Sequence, residues 1–149
     1  MTLKKKIHTH YLNLVNERIR RLQQSLADLK EAGAGETKST AGDKHETALA
    51  MIQIEQEQVR SQLKEATAQL ALLEKTDPAL SNLQVTNGSL VTTNKGIFYI
   101  SVALGKAVVD DVTVIALSPQ SPLGSRLLKL IVKDTVEINN HRYVIESIA

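Results

Sequence analysis

Apolar residues in the first half of the chain return at alternating intervals of three and four. From Leu12 they fall at Leu12, Val15, Ile19, Leu22, Leu26 and Leu29, the a/d seam of a coiled coil. The other faces carry Asn16, Glu17, Arg18, Arg20, Arg21, Gln23 and Gln24, which belong in water. No Gly or Pro interrupts the first 32 residues, so the pattern predicts a helix over roughly 3–31. A second seam runs through Leu49, Ile52, Gln56, Val59, Leu63, Ala66, Leu70 and Leu73, with one polar lapse at Gln56. It predicts a helix from about 43 to 75, closed before Asp77-Pro78 because proline cannot continue it.

Between the seams lies a polar, Gly-rich stretch, Glu31-Ala-Gly-Ala-Gly-Glu-Thr-Lys-Ser-Thr-Ala-Gly-Asp-Lys-His-Glu46. A connection of about ten residues is long enough to reverse the chain. The expected form of residues 1–76 is therefore an antiparallel helical hairpin with a tip loop at about 32–42. At 1.5 Å rise per residue it makes a rod about 45 Å long. The rival arrangement is a parallel dimer that uses each seam separately.

Residues 77–83 form a linker, and beyond it the pattern changes to β-branched residues and turn signals. Asn87-Gly88 signals a tight hairpin. Asn94-Lys95-Gly96 is a second turn before a strand over 97–103, and another strand follows at 111–117. Ser121-Pro122 sets an N-cap before proline at the first helical position, opening a short helix through Leu130. Residues 134–138 and 142–148 close the chain as a hairpin around Asn139-Asn140-His141. The fold class is α+β: a helical hairpin followed, over 84–149, by a small and mostly antiparallel sheet with one helix.

Composition sharpens this picture. Aromatics make up 3% of the 149 residues and Trp is absent, so the core must come from Leu, Ile, Val and Ala. The net charge of +2 is too balanced for a protein that grips nucleic-acid phosphates. The charge is unevenly placed: residues 1–31 hold seven Lys or Arg against three acids, and 32–75 hold five against seven. The absence of cysteine excludes disulfides, thiolate zinc sites and cysteine nucleophiles. His8, His10, Asn13 and Asn16 break any apolar stretch behind the basic start, and no run approaches the roughly 18 apolar residues that span a bilayer. A soluble cytoplasmic protein with no membrane partner is expected.

Asp43-Lys-His-Glu46 is the sharpest candidate for chemistry, and it has two readings. Asp at an N-cap with Glu three residues later is the capping-box pattern. Alternatively, two carboxylates on one turn at the end of a rod can share a divalent cation. Mg²⁺ takes one or two protein carboxylates and fills its other positions with water and phosphate oxygens. The two readings are compatible, since one carboxylate can cap while the other faces out. His45 reads as a solvated first-turn residue, His8 and His10 fall on different helix faces, and His141 sits in a polar turn. Lys4-Lys5-Lys6 reads as a solvated helix start. Gly33 and Gly35 lack the strand and the Gly-Lys-Ser/Thr of a phosphate loop, and no serine has a nucleophile-elbow context. No free-standing active site is visible, so the chain is not expected to be an enzyme by itself.

Taken together, the hairpin, the Asp-x-x-Glu at its tip and Ser121-Pro-Leu-Gly124 with Leu127 resemble the Gre-type bacterial transcript cleavage factors, over essentially the whole chain. Gly42-Asp-Lys-His-Glu-Thr-Ala48 falls on that family's Gly-Asp-Leu-Lys-Glu-Asn-Ala tip motif. The resemblance implies an FKBP-like C-terminal domain over 84–149 and a monomer that docks on RNA polymerase. Ser121, Pro122, Leu123 and Gly124 belong to the implied docking segment. The coiled coil would enter the secondary channel, where Asp43 and Glu46 would help hold a Mg²⁺ shared with the polymerase and not bound stably by the factor alone. Backtracked RNA would be cut near its 3′ end, which the factor reaches only indirectly. Lys44-His45 and Thr47 depart from the tip motif, and family relatives enter the channel without cleaving, so channel binding without cleavage is the alternative. An FKBP-like fold also raises prolyl isomerisation, but that pocket needs an aromatic lining, and Phe98, Tyr99 and Tyr143 are the only aromatics of the domain. A coiled-coil adaptor that dimerises through its seams is the remaining alternative.

Overall fold

The computed structural model of the protein describes residues 1–37 and 43–149, and side chains for all of these except 36, 37 and 43–45. Two long helices come first, α1 over Leu3–Thr37 and α2 over Asp43–Glu74. Six strands and one short helix follow: β1 (Leu90–Thr93), β2 (Gly96–Ile100), β3 (Gly105–Val109), β4 (Val112–Leu117), α3 (Pro122–Leu127), β5 (Thr135–Ile138) and β6 (His141–Ile148). The chain is α+β, as the hydrophobic pattern requires. It divides into two compact units, Leu14–Leu70 and a second made of Met1–Asn13 with Ala71–Ala149.

The Leu14–Leu70 unit is a pair of antiparallel helices. Arg18 donates from Nη1 to Gln69 Oε1 at 3.3 Å, and Gly33 faces Ile52, whose Cγ2 would lie 3.7 Å from a Cβ on that glycine. Partners therefore recede along α2 as α1 advances. Burial follows the seams residue by residue. Val15 and Ala66 are buried, while Ile19, Leu22, Leu26, Leu29, Leu49, Ile52, Gln56, Val59, Leu63 and Leu70 are half-buried between mostly exposed neighbours. Half-burial is what two helices alone can give, since each seam is covered from one side only. Helix α1 also runs six residues past the expected end at 31, through Ala32-Gly-Ala-Gly35 to Thr37. Gly costs a helix about 1 kcal/mol relative to Ala, yet α1 continues through both glycines, the first of them opposite Ile52 of α2. The rest of the expected tip loop, 38–42, lies outside the described residues.

In the second unit the sheet has the order β3-β4-β2-β1-β6-β5. All neighbours are antiparallel except β2 and β4, which pair in parallel from Ile97↔Val114 to Ile100↔Leu117. Four of the five pairings are antiparallel, so the sheet is mostly antiparallel as expected, and the β2–β4 pair makes it mixed. The parallel pair arises from β3, which lies between the expected strands at 97–103 and 111–117 and was not anticipated. The chain leaves β2 at Ile100, starts again at Gly105 and returns through Asp110-Asp111, both left-handed at φ 51° and 62°, the backbone of a two-residue hairpin.

Asn87-Gly88 is a turn but not a strand hairpin. Ser89 N donates to Thr86 O at 3.1 Å across it, while the preceding Val85 exchanges backbone hydrogen bonds with Lys129 and Leu130. Gly88 is left-handed (φ 92°), and a Cβ there would come within 2.8 Å of Thr76 Cγ2. The closing hairpin turns on Asn139-Asn140, both also left-handed.

Alternation along the strands gives the sheet two buried faces. Val91, Phe98, Ile100, Val136 and Ile145 join Val85 and Leu127 of α3 in one core. Tyr99, Val114 and Ala116 are buried on the other face, where the first turns of α1 meet them through Tyr11, whose hydroxyl reaches the carbonyls of Gly105 and Val114.

Candidate functional site

Asp43 is the first residue of α2, and Glu46 follows in its first turn. Positions i and i+3 lie on one face of a helix, with Cβ atoms roughly 5–6 Å apart. Glu46 is exposed, so its carboxylate is available to an outside cation. The side chains of Asp43 and His45, and with them the expected capping bond, lie outside those described. Among the described residues no group of three or more His, Asp and Glu could hold a metal ion. A pair such as Asp43 and Glu46 amounts to a half-site that needs oxygens from elsewhere, and its donor chemistry suits Mg²⁺ on those terms.

Ser121-Pro-Leu-Gly124 sits at the start of α3, and most of its residue choices have local causes. Ser121 is the N-cap; its hydroxyl donates to Ser118 O at 2.7 Å and accepts from Gly124 N at 3.0 Å. Pro122 takes the first turn, where its missing N–H costs nothing. Gly124 is buried, and a Cβ there would stand 2.1 Å from Ser118 O. Only glycine fits. Of the four residues, Pro122 alone is exposed, with Leu123 half-buried against the core. Helix α3 ends at Leu127, short of the expected Leu130, because Lys129 turns left-handed at φ 71° and donates its N–H to Val85 O.

Exposed apolar side chains occur in both units. Met51 and Ile54 are 58% and 59% exposed on α2, and Leu83, Ile131 and Val132 are 89%, 48% and 42% exposed around the sheet. Among the described residues no helix is long and apolar enough to cross a membrane.

One cluster was not found by reading motifs. His8 and Tyr99 are 5% and 0% exposed, and His8 Nδ1 lies 2.7 Å from the Tyr99 hydroxyl. Their rings meet edge-on at 6.1 Å, and Tyr99 stacks on Tyr11 at 6.4 Å with 21° between planes. The available signal was helical spacing, since Lys4, Ile7, His8 and Tyr11 form one stripe at the start of α1. Tyr99 therefore faces α1 and not the core that holds Phe98 and Tyr143, so the three aromatics of residues 84–149 do not line one pocket.

Compared with known proteins, the chain matches no family model and no curated protein sequence.

Proposed function

We propose that the protein is a Gre-like transcription factor that binds RNA polymerase, inserts the Leu14–Leu70 helical pair into the secondary channel and stimulates Mg²⁺-dependent cleavage of backtracked RNA. The observation that carries the reading is the exposed Glu46 in the first turn of α2, beside Asp43 and next to the chain reversal.

Asp43 and Glu46 would hold the ion, with the polymerase supplying the remaining ligands. Magnesium, when bound, neutralises phosphate charge and lowers the pKa of a coordinated water. The two carboxylates hold and orient; the hydrolytic machinery belongs to the polymerase. Pairing of both seams within one chain supports the reading, because it leaves neither seam for the parallel dimer that the adaptor alternative needs.

A second reading, channel binding without cleavage, is favoured by Lys44-His45 and Thr47, which depart from the tip motif. One experiment separates the two. The protein is added to a purified backtracked elongation complex, with binding followed by co-sedimentation and RNA length on a gel. Shortened RNA that depends on Mg²⁺ supports cleavage; binding with unchanged RNA supports the second reading; no binding removes both.

A further inference from the structure

The first turns of α1 lie against the sheet through Lys4, Ile7, His8 and Tyr11, each less than a tenth exposed. Three of these four carry a titratable group. The Tyr11 hydroxyl donates to Gly105 O at 2.8 Å, and Lys4 Nζ donates to Leu80 O at 2.6 Å. His8 is committed to Tyr99 at 2.7 Å. Burial pushes the Tyr99 hydroxyl well above its usual range, so at neutral pH it keeps its hydrogen. The consistent arrangement has Tyr99 donating to Nδ1 of a neutral His8 whose own proton sits on Nε2.

We propose that His8 is an acid-sensitive clasp: uptake of a solvent proton at its buried contact with Tyr99 releases Leu3–Asn13 from the sheet. The proton adds to Nδ1, which then has to donate. The Tyr99 oxygen can accept, but its own hydrogen must then turn away from the imidazole and lose the acceptor it had. The imidazolium also loses its water, which is costly inside a protein.

The charged and titratable neighbours act in both directions. Burial lowers the His8 pKa most; Asp77, just beyond α2, opposes that, and Lys4, one turn earlier on α1, adds to it. Tyr11 on α1 and Tyr99 on β2 are neutral, both held above their usual range mainly by burial. The net direction is downward. In the released segment His8 recovers its ordinary value of 6.5. Release therefore binds the proton, and it is favoured as pH falls below 6.5, levelling off at the lowered value in the closed form. Inside that window the opening equilibrium moves by up to about tenfold per pH unit. A phenylalanine at this position would pack on Tyr99 without any such response.

The test uses the full chain, with the His8 ring followed by NMR and amide exchange followed in Leu3–Asn13 and in residues 14–35, from about pH 7.5 to about pH 5. The proposal predicts that His8 titrates below 6.5. It also predicts that exchange in Leu3–Asn13, corrected for intrinsic rates, accelerates as pH falls by up to about tenfold per unit, while residues 14–35 respond less. His8→Gln removes the acceleration, and His141→Gln, at an exposed histidine, keeps it. A closed-state His8 that titrates at or above 6.5, or acceleration that survives in His8→Gln, overturns the proposal. If His8→Gln does not fold, the wild-type titration with its exchange profile decides alone.

Discussion

The two units of this protein are held together in opposite ways. In Leu14–Leu70 almost every apolar contact repeats the same step along two helices, and Val15 and Ala66 are the only buried residues among those described there. In the sheet unit, seven side chains from several strands, a loop and α3 form a core, and side chains from the first 11 residues reach partners 76 to 104 positions along the chain. Stability in the first region is spread thinly over many half-buried positions. In the second it is concentrated at fewer, fully buried residues.

Substitutions can break that contrast or sharpen it. The largest effect is expected at Gly124, where a Cβ would meet the Ser118 carbonyl oxygen at 2.1 Å. Backbone must shift to admit it, so Gly124→Ala should cost about 3 kcal/mol or more in denaturant unfolding. Leu127 is fully buried in the sheet unit's core, and Leu127→Ala should cost about 2–5 kcal/mol. Leu26→Ala, at a half-buried seam position, should cost less, about 1–2 kcal/mol. Equal costs at Leu26 and Leu127 would erase the distinction between the regions. Lys129→Gly should work the other way, because φ 71° strains any residue with a Cβ; relief of up to about 1 kcal/mol is expected in the same unfolding measurement. The smallest effect belongs to Glu46→Ala, which removes an exposed side chain and should move stability by no more than about 0.5 kcal/mol.

The same contrast explains what could be read in advance. Both helices were legible because the seam positions take the buried and half-buried places along them, including Gln56, whose polar side chain interrupts the pattern but is still half-buried. Helix α1 outran its expected end because the glycines at 33 and 35, read as a stop, stay helical, the first of them opposite Ile52 of α2, which propensity alone does not reveal. Strand β3 was missed because Asp110-Asp111 is an unusual pair for a two-residue turn that needs left-handed backbone at both positions. The Ser121 cap and Pro122 start were legible from local chemistry, and the end of α3 was not, since Lys129 breaks the helix against its own preference to pair with Val85. Of the candidate site, the position of Asp43 and Glu46 at the start of α2 follows from the second seam. The contact between His8 and Tyr99 depends on which helix face meets which strand, and nothing local encodes that.

The central functional claim is that the carboxylates at the start of α2 act on RNA held by another protein. Its most direct measurement is the rate of Mg²⁺-dependent RNA shortening in a purified backtracked elongation complex, with wild-type protein and with Glu46→Ala at matched occupancy of the polymerase. The account predicts shortening with the wild type and its loss, by about 100-fold or more, with Glu46→Ala, at unchanged binding. Equal shortening by the two proteins would contradict it.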